Sequence, residues 1–278
     1  MGLRISTNIA SMAANRALIQ NNMAQQKSFL RLSSGNQITE AGDDAAGLSI
    51  SENLRAQIRS MNQAEKNANN GVSFVQVAEG GLSEIGNMLI RLRELSIQAA
   101  SDTVGDNERG FINAEMQSIT GEVDRIANVT TFNGTQLLNG GGDKSQLDFQ
   151  VGIRNDEADR IIFNVSDYDV RADTIGISNI SSETIDDARQ SIDTIDQAIA
   201  KVSGARAGLG AMQNKLHSTT NNIAIMKENL EAARSRIADT DFAEETSNLV
   251  RSNILQTAGI SVLAQANNSP MQALKLLQ

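Results

Sequence analysis

The chain of 278 residues contains no Cys and no Trp, one Pro, one His, one Tyr and only seven Phe. Each shortage closes off a class of chemistry. Without Cys there is no disulfide scaffold, no thiolate metal site and no Cys nucleophile. With His217 as the single imidazole, an HExxH metal motif is impossible, and a Ser/His/Asp triad would have to use that one residue. His217 follows the heptad position Leu216 and has Lys215 and Ser218 as neighbours, so it reads as an ordinary flank residue. Long apolar runs are missing as well. No window approaches the ~18 apolar residues of a membrane span, and the opening residues lack the apolar stretch of a cleavable secretory leader. A net charge of −9 argues against nucleic acid as a partner, because phosphate binding calls for clustered Lys and Arg. The sequence predicts neither an enzyme nor a cofactor or metal binder.

What is present is aliphatic. Hydrophobic residues make up 40% of the chain and aromatics 3%, so Ala, Ile, Leu, Val and Met must carry the packing, which suits long helices lying side by side. A 4,3-spaced stripe opens the chain as Ile5, Ile9, Met12, Arg16, Ile19, Met23, Gln26 and Leu30, with mostly Asn, Gln, Ser and Ala between them. A helix with so little charge on its outer face is not finished by solvent and is expected to bury further surface against other chains.

After a Gly- and Ser-rich break, Asp43 or Asp44 offers an N-cap. A second stripe then runs through Leu54, Ile58, Met61, Glu65, Ala68, Val72, Val75, Glu79, Leu82, Ile85, Leu89, Leu92, Ser96 and Ala99. A shorter helix carries Ile112, Met116, Ile119, Val123 and Ile126. The runs Leu147, Phe149, Val151, Ile153 and Ile161, Phe163, Val165 alternate as a β-hairpin with one buried face.

The longest stripe extends from Ile185 to Ile237. At ~1.5 Å per residue that helix spans on the order of 80 Å, which implies a rod. The tail is again apolar and poor in charge, with Leu249, Val250, Ile254, Leu255, Ile260, Val262 and Leu263. The predicted fold is mainly α: long antiparallel coiled-coil helices forming a rod, with a small β-hairpin region mid-sequence and both termini at one end. Asp43-Asp44 and Asp186-Asp187 stand where helices begin and read as caps. Gly140–Ser145 fails the phosphate-loop spacing and reads as a flexible loop.

These residues also form recognisable motifs. Ile5-Ser6-Thr7-Asn8-Ile9, Leu32-Ser33-Ser34-Gly35, Asp43-Asp44-Ala45-Ala46-Gly47-Leu48 and Thr131-Phe132-Asn133-Gly134 resemble the N-terminal signature of bacterial flagellin. Ile254-Leu255-Gln256, Ala258-Gly259 and Ser261-Val262-Leu263-Ala264-Gln265-Ala266-Asn267 resemble its C-terminal signature.

The resemblance implies an extracellular filament subunit for motility. Such a subunit is exported unfolded by the flagellar type III apparatus with an export chaperone, joins hook-filament junction and cap proteins, and polymerises with itself. It implies an inner coiled-coil assembly domain formed by residues 1–42 and 237–278, whose helices line the central channel. Residues 43–236 then form a rod domain with helices at about 44–100, 107–128 and 182–236 and a hairpin at about 146–166. The assembly residues are Ile5, Ile9, Met12, Ile19, Met23, Leu30, Leu249, Ile254, Leu255, Val262 and Leu263. Only a short stretch separates Val165 from the helix near Ser182, so the outer domains of longer flagellins are expected to be missing.

Arg91-Leu92-Arg93-Glu94-Leu95 with Glu115 resembles the segment by which many flagellins engage the innate receptor TLR5. Arg91, Leu95 and Glu115 align with its receptor contacts, and Ile90 stands where Gln is common. The same residues read equally as heptad positions beside a solvated face. Alternatives are a hook-filament junction protein, which shares terminal similarity, and a phage or cell-surface coiled-coil fibre, which would not require paired terminal signatures.

Overall fold

The structure, a computed structural model, describes residues 7–140 and 145–275, with side chains as far as residue 269. Ile5 and loop residues 141–144 lie outside the described residues. In chain order the elements are α1 (Ile9–Ser34), α2 (Ala45–Ala99), α3 (Asp106–Val129), β1 (Thr131–Phe132), β2 (Thr135–Gln136), β3 (Gln146–Gln150), β4 (Arg160–Asn164), α4 (Ala172–Ile175), α5 (Ile185–Ala238) and α6 (Phe242–Lys275). The architecture is mainly α, with two small antiparallel strand pairs. Contacts divide the chain into two units, one of residues 1–57 and 229–278, the other of 58–228.

The second unit is built along the α2 stripe. Ile58, Met61, Ala68, Val72, Val75, Leu82, Ile85, Leu89, Leu92 and Ala99 are all buried. α3 meets them with Ile112, Met116 and Val123, and α5 with Ile195, Val202, Leu209, Leu216 and Ile223. The stripe's two carboxylates pair with cations on α5: Glu65 with Lys227 at 2.9 Å and Glu79 with Arg206 at 2.8 Å. Such surface pairs are worth under about 1 kcal/mol each, so the aliphatic seam carries the stability.

The hairpin pairs β3 with β4 antiparallel, with Leu147 opposite Phe163 and Phe149 opposite Ile161. This register puts the apolar side chains on one face, against Phe74 of α2. Phe74 meets Phe163, Phe149 and Phe132 edge-on at ring-centroid distances of 4.8, 5.4 and 5.8 Å, and Phe163 stacks on Tyr168 at 4.7 Å. Five of the chain's eight aromatic residues thus form one cluster. The other three, Phe29, Phe111 and Phe242, are exposed.

The structure corrects two local expectations and extends a third region. The strand run predicted through Ile153 stops at Gln150. Gly152 turns there against Asp159, whose carboxyl would overlap any added Cβ, and Ile153 ends exposed. Asn133-Gly134 closes the β1–β2 pair as a turn with both residues at positive φ (49° and 79°), the two-residue geometry that Asn-Gly favours. The stretch after Val165 is no bare linker. Val170, Ile175, Ile177 and Ile180 are buried, and α4 is held at its two ends by the Asp124 carboxylate, which accepts from the Ala172 N–H at 2.7 Å, and by Lys201 Nζ, which donates to the Thr174 carbonyl at 3.1 Å.

Candidate assembly site

The first unit pairs α1 with α6, and the two helices meet on unusual faces. The residues of α1 that turn inward are Ser11, Ala14, Leu18, Asn21, Gln25, Ser28 and Leu32, a strict 3,4 heptad. Those of α6 are Glu245, Leu249, Ser252, Gln256, Gly259, Leu263 and Ala266, also a strict heptad. Most are small or polar. Gly259 lets the helices approach closely, since a Cβ there would come within 2.7 Å of Leu18 Cδ2. Side-chain amides and hydroxyls stitch the seam. Asn8 Nδ2 donates to the Ala266 carbonyl, Ser11 Oγ to Asn267 Oδ1 and Asn21 Nδ2 to the Ser252 carbonyl, each at 2.7 Å.

The sequence-predicted apolar heptad lies two positions away from this seam and is left uncovered. Ile9, Met12, Ile19, Met23 and Leu30 are 50–65% exposed, and Arg16 and Gln26 between them are exposed too. On α6, Leu249 and Leu263 are half-buried in the seam, whereas Ile254, Leu255 and Val262 are more than half exposed. Phe29, Phe242, Val250 and Ile260 enlarge the uncovered surface. The signal that finds the true seam is in the sequence: a second heptad of Ser, Ala, Asn and Gln, offset by two from the apolar one. A monomer rarely leaves so much contiguous apolar surface open to water, and such a surface marks an interaction site.

Two grooves accompany it. One of about 550 Å³ runs along α6 beside Thr246, Ser247, Val250, Arg251, Ile254 and Leu255. The other, about 410 Å³, is lined by Gln25, Gln26, Phe29, Leu30 and Leu249.

The base of the pair is fixed by the loop after α1. Gly35 ends α1 with φ 71°, its N–H bonding the Arg31 carbonyl at 2.8 Å. The Gln37 N–H then donates to the Ala238 carbonyl at 2.7 Å and the Thr240 N–H to the Gly35 carbonyl at 2.9 Å, tying the loop to the α5–α6 turn. Arg31 faces Glu245 at 3.5 Å. Of the two candidate caps, Asp44 caps α2, accepting from the N–H groups of Ala46 and Gly47. Asp43 instead accepts from the Thr39 N–H and hydroxyl and pairs with Lys27 at 2.5 Å.

These bonds, Lys27's foremost, hold the Asp43 carboxyl far below the usual carboxylate range. Its stabilising effect is full above the unfolded value of about 4 and fades as the pH falls toward the folded one. The variant Asp43→Asn should therefore melt earlier than the parent at pH 7. That deficit should shrink progressively below about pH 4, as thermal melts across the acid range will show; an unchanging deficit would remove the charge from the account.

In the second unit, Arg91 and Glu115 come together across α2 and α3, with the guanidinium Nη2 2.8 Å and Nε 3.1 Å from Glu115 Oε1 and Nη1 3.2 Å from Glu94. Leu95 is not beside them on the surface. It is 2% exposed within the core, because it continues the heptad of Leu92. Ile90 on α2 and Phe111 on α3 are half to three-quarters exposed. His217 is exposed on α5.

The family models and the full-length relatives point to one family. The bacterial flagellin N-terminal helical region matches residues 5–143 and the C-terminal helical region residues 192–277. The chain is 40% identical over 274 residues to the flagellin of Halalkalibacterium halodurans, covering 99% of each chain. It is 38% identical over 288 residues to the flagellar filament 31.3 kDa core protein of Treponema maltophilum, again covering 99% of each. Among solved structures, Bacillus cereus flagellin aligns with a TM-score of 0.51 at 24% identity, over 57% of this chain and 88% of that one, a likeness of fold. Matches at both ends, together with full-length relatives, establish that this chain belongs to the bacterial flagellin family, a family of filament-forming structural subunits rather than enzymes.

Proposed function

We propose that α1 and α6 form the inner assembly layer of an extracellular filament, lining its channel. The observation that supports this reading is the inversion of α1: its seam with α6 is polar, and its apolar heptad is left for neighbours. Ile9, Met12, Ile19, Met23, Leu30, Ile254, Leu255 and Val262 are the residues that neighbouring subunits cover. Leu249 and Leu263 act from within the seam. The sequence-assigned Ile5 belongs with them.

Assembly must work against charge. Each subunit carries −9, and the repulsion is screened as the Debye length shrinks from ~30 Å at 0.01 M salt to ~8 Å at 0.15 M. Seeded filament growth, followed by light scattering and negative-stain microscopy, should therefore accelerate over that range; growth that slows with added salt would contradict the reading.

The flagellar export apparatus, an export chaperone, and the cap and junction proteins are the further partners of such a subunit. A chain without Cys suits passage through a narrow channel, since it cannot cross-link on the way. A second reading concerns an animal host. The exposed Arg91–Glu115 pair beside Ile90 offers TLR5 a polar contact, with Leu95 supporting it through the core. In a reporter-cell assay the monomer should signal and Arg91→Ala should signal at least about tenfold less, the loss of one charged, hydrogen-bonded contact; equal signals would remove Arg91 from the interface.

A further inference from the structure

We infer that Met12 and Met23 form an oxidant-sensitive stop on filament growth: conversion of their thioethers to sulfoxides by a peroxide keeps free subunits out of the filament, and reduction readmits them. The inference rests on the assembly reading above and adds the regulation of that face.

Composition is the first argument. The chain has no Cys and no Trp, so its nine methionines are its most readily oxidised side chains. Burial decides which of them a peroxide reaches. Met61 and Met116 are buried, and Met88 and Met212 pack, partly covered, against the core of the second unit. Among the described residues the exposed methionines are Met12, Met23 and Met226. The two most open of them share the α1 stripe, eleven residues apart, or ~16 Å along the helix axis.

Chemistry is the second. The sulfur lone pair attacks one oxygen of hydrogen peroxide, the O–O bond breaks as the S–O bond forms, and the departing hydroxide takes the proton of the transferred oxygen and leaves as water. Sulfur is oxidised by two electrons and the peroxide reduced by two. An adaptable apolar side chain becomes a polar one, and the stripe then presents S=O groups whose burial against a neighbour is unfavourable. Ile9, Ile19 and Leu30 on the same stripe are hydrocarbon and do not react. In the monomer both methionine side chains already meet water, so their oxidation leaves its own packing intact. A finished filament covers them, so an oxidant arrests growth without dissolving what has grown.

The test compares parent, Met12→Leu/Met23→Leu and Met226→Leu. Each monomer is divided, and one half is treated with hydrogen peroxide just until mass spectrometry finds the exposed methionines oxidised. Seeded growth of each treated half is then measured against its own untreated half. Oxidation is expected to raise the critical concentration of the parent and of Met226→Leu at least about tenfold, the order of one lost methionine burial. For Met12→Leu/Met23→Leu the rise should stay below about twofold. Methionine sulfoxide reductases for both epimers, with dithiothreitol as the dithiol that becomes a disulfide, should return the oxidised parent to its untreated value; this arm needs no substitution, and a chain without Cys is indifferent to the thiol. Equal sensitivity of parent and Met12→Leu/Met23→Leu would overturn the inference, and so would growth that stays arrested once both sulfoxides are reduced. Oxidised parent that grows normally would overturn it too, while sparing the assembly reading. If Met12→Glu/Met23→Glu polymerises normally, the assembly reading itself fails.

Discussion

Met12→Glu/Met23→Glu is expected to abolish filament growth while leaving the monomer as helical as the parent. Both side chains are mostly exposed, 58% and 65%, so the substitutions remove nothing from the monomer's own packing. In the filament they would lose the burial of two methionines, about 4 kcal/mol together. That corresponds to roughly a thousandfold in the association constant of each contact, before the further cost of burying two carboxylates. Removing residues 1–30 or 250–278 outright is the extreme form of the same experiment and should also leave a soluble, helical monomer that does not polymerise. Circular dichroism reports the helix and electron microscopy the filaments. Filaments from either truncation would detach the ends from assembly.

Phe74→Ala should have the largest effect on the fold itself. Phe74 is 3% exposed and meets three other rings, and through them it joins α2 to both strand pairs. Truncating a buried Phe to Ala typically costs about 3–5 kcal/mol. For a unit of this size, that lowers the melting temperature by roughly 10 °C. Calorimetry on the full chain gives the number, and a loss below about 1 kcal/mol would mean that the cluster repacks around the gap. The aliphatic seam of α2 and α5, far from Phe74 along much of its length, should keep most of its helical signal.

The long helices were legible because a single rule governs them. In α2 every apolar stripe residue from Ile58 to Ala99 is buried, since one face of that helix meets the core and the pattern has nothing else to specify. The hairpin was legible for the same reason with a period of two. Its end was not, because Ile153 continues the alternation while the Gly152–Asp159 contact, a three-dimensional fact, turns the chain away. The buried strap after Val165 escaped because Ile175, Ile177 and Ile180 fit neither period and pack through irregular backbone.

The terminal pair shows a subtler limit. Its apolar heptad was plain in the sequence, yet periodicity shows which residues share a face and does not say which partner covers it. Within the chain α6 takes the small, amide-rich face two positions away. The same ambiguity affected Leu95, which a surface motif and a core heptad claim together and which the fold gives to the core.

That division of α1 into a polar face for its own α6 and an apolar face for other subunits is the centre of the account, and methionine oxidation tests it directly. Met12 and Met23 are on the uncovered face, while Met116 is fully buried in the second unit. Sulfoxide formation follows solvent access. Peroxide footprinting of monomer and filament, read by mass spectrometry, should find Met12 and Met23 oxidised readily in the monomer and slowed in the filament to near the rate of Met116; rates at Met12 and Met23 that stay the same after polymerisation would contradict it.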